Sequence, residues 1–136
     1  MSGTLHYSLG TDIVSHLARH PQGSAARHLA RVGVSRVGIS IIVVCEIRFG
    51  LAKQGGHRLR QHLDLILGKL PSLPLEPPVE TRYAQVRHGL EQAGTPIGPN
   101  DLLIAARALA LDLTLVTDNT REFSRVPGLR LENWLV

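Results

Sequence analysis

Four acidic residues stand where a fold could bring them together: Asp12, Glu46, Asp101 and Asp118. Asp12 closely follows the strand-like run "LHYSL", and Asp118 follows the strand-like run "LTLVT". Glu46 lies one turn into a helix that begins after a second strand, and Asp101 opens the most apolar helix of the chain. In a parallel sheet these positions share the carboxyl edge, where open α/β folds place their chemistry. Converging carboxylates repel one another unless a cation lies between them. Oxygen donors without paired Cys or His favour a hard ion, Mg²⁺ or Mn²⁺. Each residue also has an ordinary structural reading. Thr11, Asp12 and the pair Asn100–Asp101 are N-cap types, "TDN" at 117–119 is turn-forming, and Glu46 can sit on a solvated helix edge. What favours a site is that Glu46 and Asp101 both stand among apolar neighbours, where a charge needs a partner.

The elements that must position these residues are legible in the pattern. Leu5–Leu9 reads as a strand, Asp12–Arg19 as a short helix stopped by Pro21, and Gly23–Arg31 as a second helix. Val37–Ser40 reads as a buried strand. Ile41–Lys53 follows as a helix with Val43, Val44, Ile47 and Leu51 at helical spacing, closed by Gln54–Gly56. Arg58–Leu70 is amphipathic, Leu73–Pro78 holds a short strand, and a helix runs from the prolines to about Ala93. The stretch "GTPIGPNDLLIAARALAL" gives a loop and a helix apolar almost all round, which should be buried. "LTLV" is a buried strand, and Leu129–Glu132 holds a last one. Strands alternating with helices predict a parallel sheet covered on both faces.

The chain has 136 residues, 43% of them hydrophobic and only 4% aromatic, so a core of Leu, Ile, Val and Ala is expected. The longest apolar runs are too short to cross a bilayer, and the start of the sequence lacks a signal-peptide pattern. With a lone cysteine, Cys45, this predicts a cytoplasmic protein without a membrane. Cys45 itself reads as a small buried hydrophobe. His16 and His20 have a zinc-compatible spacing but no third ligand, and read as a solvated helix end. Net charge is +4, with 13 Arg against 2 Lys, which suits a polyanionic partner.

"GTDIVSHL", "SIIVVCEIRFG", "GTPIGPNDLLIAARAL" and "LTLVTDNTREFSRVPGLRLENW" together resemble the blocks of PIN-domain ribonucleases, and within them the VapC-type toxins of type II toxin–antitoxin systems. The resemblance spans nearly the whole chain in the right order, and "NDLLIAA" followed by "LVTDN" is its most specific part. It implies a three-layer α/β/α PIN-like domain over residues 1–136, with a parallel sheet of order 3-2-1-4-5. It also implies a Mg²⁺- or Mn²⁺-dependent endoribonuclease site, a cognate antitoxin and a homodimer. Glu46, Asp101 and Asp118 match site carboxylates that serve as catalytic and metal-binding groups. Thr11, Asp12, Asn100, Thr117 and Asn119 match supporting positions. Arg48, Arg121 and Arg125 are candidates for contact with RNA phosphate, or else exposed surface charges. The apolar face of Leu59–Leu70 and the first two helices offer a surface for the antitoxin or a second copy, or else pack internally.

One position departs from the family pattern. The usual Leu-Asp-Thr-(Asn or Asp) reads here Leu9-Gly10-Thr11-Asp12, so the first site aspartate is replaced by Gly10. A glycine there can also simply ease a strand-to-helix turn. Asp12, two residues on, is expected to point elsewhere. Gly10 fits a naturally weakened toxin, and equally a change introduced because an active ribonuclease poisons its host. Two readings follow: an impaired ribonuclease, or an inactive PIN-fold protein that binds antitoxin or RNA without cleavage. A phospho-acceptor receiver domain would need adjacent acids after the first strand and a lysine after the last, and both are missing.

Overall fold

The computed structural model describes residues 4–136. Its elements alternate as the sequence pattern requires. Strand β1 (Tyr7–Leu9) is followed by helices α1 (Thr11–Arg19) and α2 (Ser24–Val32), then β2 (Val37–Ser40) by α3 (Ile41–Gln54) and α4 (His57–Lys69). Next come β3 (Ser72–Leu73), α5 (Val79–Gln92), α6 (Pro99–Ala110), β4 (Thr114–Val116), α7 (Thr120–Phe123) and β5 (Leu131–Glu132).

The strands form one parallel sheet in the order β3-β2-β1-β4-β5, with helices on both faces. That is the order the family resemblance implies. The chain winds outward from β1 to β3, then returns to lay β4 against the other side of β1, pairing Leu9 with Val116. Right-handed crossovers in opposite directions put the two groups of helices on opposite faces. Accordingly α1 packs on α2, α3 and α4, while α5 packs on α6. The β1–β4 boundary is therefore the topological switch point, where the following segments diverge and leave a crevice at the strand ends.

The core is mostly aliphatic: Leu9, Ile39, Val37, Leu115 and Val116 of the sheet are fully buried, as are Ile13 and Val14 of α1. Burial on both faces explains why these strands read as continuous apolar runs. Helix α6 is buried as its composition predicts, and even its Arg107 is buried, donating from Nη1 to the Glu76 carbonyl at 3.1 Å. The apolar stripe of α4 is turned inward against α1, with Leu63 in the core.

Three local expectations differ. Cys45 is exposed: Val43, Ile47 and Leu51 form the buried stripe of α3, and a residue two positions from Val43 lies more than half a turn away. The third strand is Ser72–Leu73, one residue earlier than Leu73–Pro78 suggested and ending before the prolines, because Pro74 has no N–H for the ladder. Helix α7 is a single turn, too short to show periodicity, and its sequence gave only a polar turn before it. No helix among the described residues is long and apolar enough to cross a membrane.

Candidate functional site

The switch-point crevice is a cleft of about 560 Å³. It is lined by Gly10, Thr11 and Asp12 after β1, Glu46 of α3, Asp101 of α6, and Thr117, Asp118 and Asn119 after β4. Ile104, Leu115 and Phe123 line it as apolar residues. All four acidic positions singled out in the sequence thus meet in one place, although Asp12 and Asp118 are 106 residues apart.

Backbone geometry brings them there. Gly10 N donates to the Val116 carbonyl at 2.8 Å, tying the end of β1 to the end of β4. Ser40, fully buried, caps α3 by accepting from Ile42 N at 3.2 Å, which starts the helix that carries Glu46. Pro99 sits in the first turn of α6, two residues before Asp101. Both Glu46 oxygens are held: Thr11 Oγ1 donates to Oε1, and Asn100 Nδ2 donates to Oε2 at 3.3 Å. Asp12 Oδ2 accepts from Asp118 N at 2.6 Å, and Asp118 Oδ1 accepts from Asn133 Nδ2 at 3.1 Å. Thr117 Oγ1 accepts from Asn119 N at 3.0 Å, closing the turn.

Sequence reasoning missed Glu122. Its carboxylate accepts from Asn119 Nδ2 at 2.8 Å and Gly98 N at 3.3 Å, and it is hydrogen-bonded to Asp101. The available signal was the spacing of Asn119 and Glu122, that of an N-cap and its third helical residue. The arginine candidates lie outside the cleft lining. Arg48 pairs with Asp64 at 2.6 Å, Arg125 Nη1 donates to the Pro96 carbonyl at 3.1 Å, and Arg121 is exposed on α7. His20 is exposed at the end of α1, its ring centroid 4.6 Å from that of His16.

The electrostatics are those of crowded acids. Burial, then the hydrogen bond and charge of Glu122, then the charges of Glu46 and Asp12, push the Asp101 carboxyl up to about 7. The hydrogen bond from Asp101 holds Glu122 below the usual carboxylate range, so the pair keeps one proton on Asp101. Burial also raises Asp12, against the lowering effect of the Asp118 N–H. Among the described residues no Lys or Arg lines the cleft. An oxygen-only acidic set of this kind fits Mg²⁺ or Mn²⁺ in kind. Among the described residues no three His, Cys, Asp or Glu side chains are gathered closely enough to cage an ion. Mg²⁺ needs only one or two protein carboxylates and keeps its waters, so the set suffices without a cage.

This arrangement has a pH consequence. Between about pH 4 and about pH 7 the folded chain keeps a proton on Asp101 that the unfolded chain has lost. Stability should therefore fall as pH rises through that window. Raised Asp12 adds to the loss, whereas lowered Glu122 acts only below its ordinary range. Thermal melts in EDTA should drop from pH 5 to pH 8, and Mg²⁺ should recover part of the drop at pH 8. A melting temperature indifferent to Mg²⁺ at pH 8 would count against the acidic crowding.

A family model described as "PIN domain" matches residues 11–129. Among characterised proteins, the chain is 38% identical over 130 residues to "Ribonuclease VapC2" of Rickettsia felis, covering 94% of this chain and 97% of that one. It is 34% identical over 109 residues to "tRNA(fMet)-specific endonuclease VapC" of Salmonella typhimurium, covering 79% and 83%. Among solved structures, VapBC2 from Rickettsia felis bound to a DNA fragment from its promoter matches with a TM-score of 0.87 at 36% identity, covering 96% of this chain and 99% of that one. VapBC-1 from nontypeable Haemophilus influenzae matches with a TM-score of 0.84 at 26% identity, covering 97% and 100%.

Proposed function

Because this chain belongs to the PIN-domain family, among its VapC-type toxins, we propose that it is a divalent-metal-dependent endoribonuclease, weakened by Gly10. In this reading it is a single-domain cytoplasmic toxin that forms a homodimer and is neutralised by a cognate antitoxin. The convergence of Glu46, Asp101 and Asp118 on one cleft at the switch point carries the reading. Similarity to antitoxin-bound VapBC assemblies supports the partner.

Of Glu46, Asp101 and Asp118, one or two would hold Mg²⁺ or Mn²⁺ directly at the cleft and the remainder through its waters. When bound, the ion supplies Lewis acidity and offsets negative charge on the phosphate. Thr11 and Asn100 orient Glu46 by engaging one oxygen each. Hydrolysis joins a water oxygen to phosphorus and breaks the bond to a ribose oxygen, so a base must take the water's proton and the leaving ribose oxygen must gain one. The Asp101 carboxylate, hydrogen-bonded to Glu122, is the candidate acceptor, and that hydrogen bond gives the proton a second carboxylate to rest on. Arg121 and Arg125, on and just after α7, are candidates to contact RNA phosphate; Arg48 is a third candidate but is engaged by Asp64.

The second reading, a PIN-fold protein that binds antitoxin or RNA without cutting, is favoured by the missing carboxylate at Gly10 alone. Incubating the purified chain with RNA in Mg²⁺ or Mn²⁺, and in EDTA, separates the two. Internal cleavage that EDTA stops supports the ribonuclease. RNA that is retained by the folded protein but stays intact in both metals supports the binding module.

A further inference from the structure

We infer that Asp12 supplies, toward the divalent cation, the carboxylate that residue 10 lacks. This rests on the metal-dependent reading of the cleft. Gly10 has φ −75° and ψ 167°, an extended conformation open to any residue, so the backbone does not require glycine. What glycine leaves is space, and Asp12 has taken it. A β-carbon built on residue 10 would lie 2.9 Å from Asp12 Oδ1, closer than such atoms approach one another.

The acid is not placed there by default. As the second residue of α1, Asp12 could turn to solvent and still favour the positive end of its helix. Instead it leans back over Gly10, lines the cleft, and uses Oδ2 to accept from Asp118 N at 2.6 Å. That hydrogen bond, with the N–H groups of Asp12 and Ile13 at the start of α1, fixes the group and leaves Oδ1 beside the place of the missing side chain. No lysine or arginine forms an ion pair with Asp12 among the described residues. Its position contradicts the expectation from helix geometry that it points elsewhere, because the neighbour that orients it lies across the sheet.

The test is a double-mutant cycle read as Mn²⁺ affinity by calorimetry on the full chain, with circular dichroism to verify folding. The proteins are the native chain, Asp12→Asn, Gly10→Asp and the double variant. Asparagine keeps the shape of Asp12 and an oxygen for Asp118 N, so the turn is preserved. Asp12→Asn should weaken Mn²⁺ binding by about tenfold or more in the native background. With aspartate at residue 10, the same change should cost less than about twofold, because the new carboxylate occupies that place. Equal losses in both backgrounds, or no loss in the native one, would overturn the role of Asp12 while leaving the site intact. So would Mn²⁺ binding by Gly10→Asp together with none by the native chain. Folded proteins that all fail to bind Mn²⁺ would overturn both the role and the metal-dependent reading.

Discussion

Gly10→Asp should raise Mg²⁺-dependent RNA cleavage by at least about tenfold, the scale on which metal sites respond to the groups that shape them. The extended backbone of residue 10 accepts the change. Of the three atoms near the new β-carbon, Thr117 Cβ at 3.6 Å is an ordinary contact, and Val116 O at 3.1 Å requires a shift of a few tenths of an ångström. Asp12 Oδ1 at 2.9 Å must move, which is cheap for the end of a flexible side chain. The new aspartate would also stand at the N-cap of α1, which now has no side-chain cap. Without a divalent ion, however, it joins a cluster already crowded enough to hold Asp101 near 7, and repulsion should lower the melting temperature at neutral pH. The expected signature is therefore paired: faster single-turnover cleavage, and a larger rise in melting temperature on adding Mg²⁺ than the native chain shows. Equal cleavage by the two proteins would remove Gly10 as the cause of impairment.

Asp101→Asn should have the opposite balance. Cleavage should fall by roughly a hundredfold or more, since the variant loses both a cation ligand and a carboxylate able to accept the proton of the attacking water. The ion-free protein should nevertheless melt at a higher temperature at pH 8. Asp101 sits in the first turn of α6, where the helix end favours a negative charge. Its pKa is raised all the same, so burial and the facing acids outweigh that favour. Asparagine keeps the shape and removes the charge, and the fall in stability from pH 5 to pH 8 should shrink with it. Stability lost at a functional site is a usual accompaniment of function. A variant that melts lower at pH 8, or that cleaves as well as the native chain, would contradict this account of Asp101.

Much of this was written in local patterns. The apolar stripe of α3, the all-round apolarity of α6 and the short buried runs of β2 and β4 depend on residues a few positions apart, and they formed as read. Placing Asp12, Glu46, Asp101 and Asp118 beside strand ends also followed from chain order, and a parallel sheet then puts strand ends on one edge. The strand order itself came from the family resemblance, since hydrophobic periodicity says nothing about which strands are neighbours. Cys45 was misplaced because an apolar run does not announce which of its members faces out.

Side-chain direction at the turns was beyond local pattern. Glu122 reaches Asp101 because α7 folds back toward the start of α6, where Gly98 N–H meets it. Asp12 turns over Gly10 because Asp118 N–H, 106 residues away, is there to hold it. The sequence by itself determined that acids would stand at the carboxyl edge of a parallel sheet and that residue 10 would bring none. Only the tertiary structure decided that a neighbouring acid leans into that gap. The first depends on bonded order and periodicity, whereas the second depends on a donor supplied by the adjacent strand's turn, which exists only once β1 and β4 are paired.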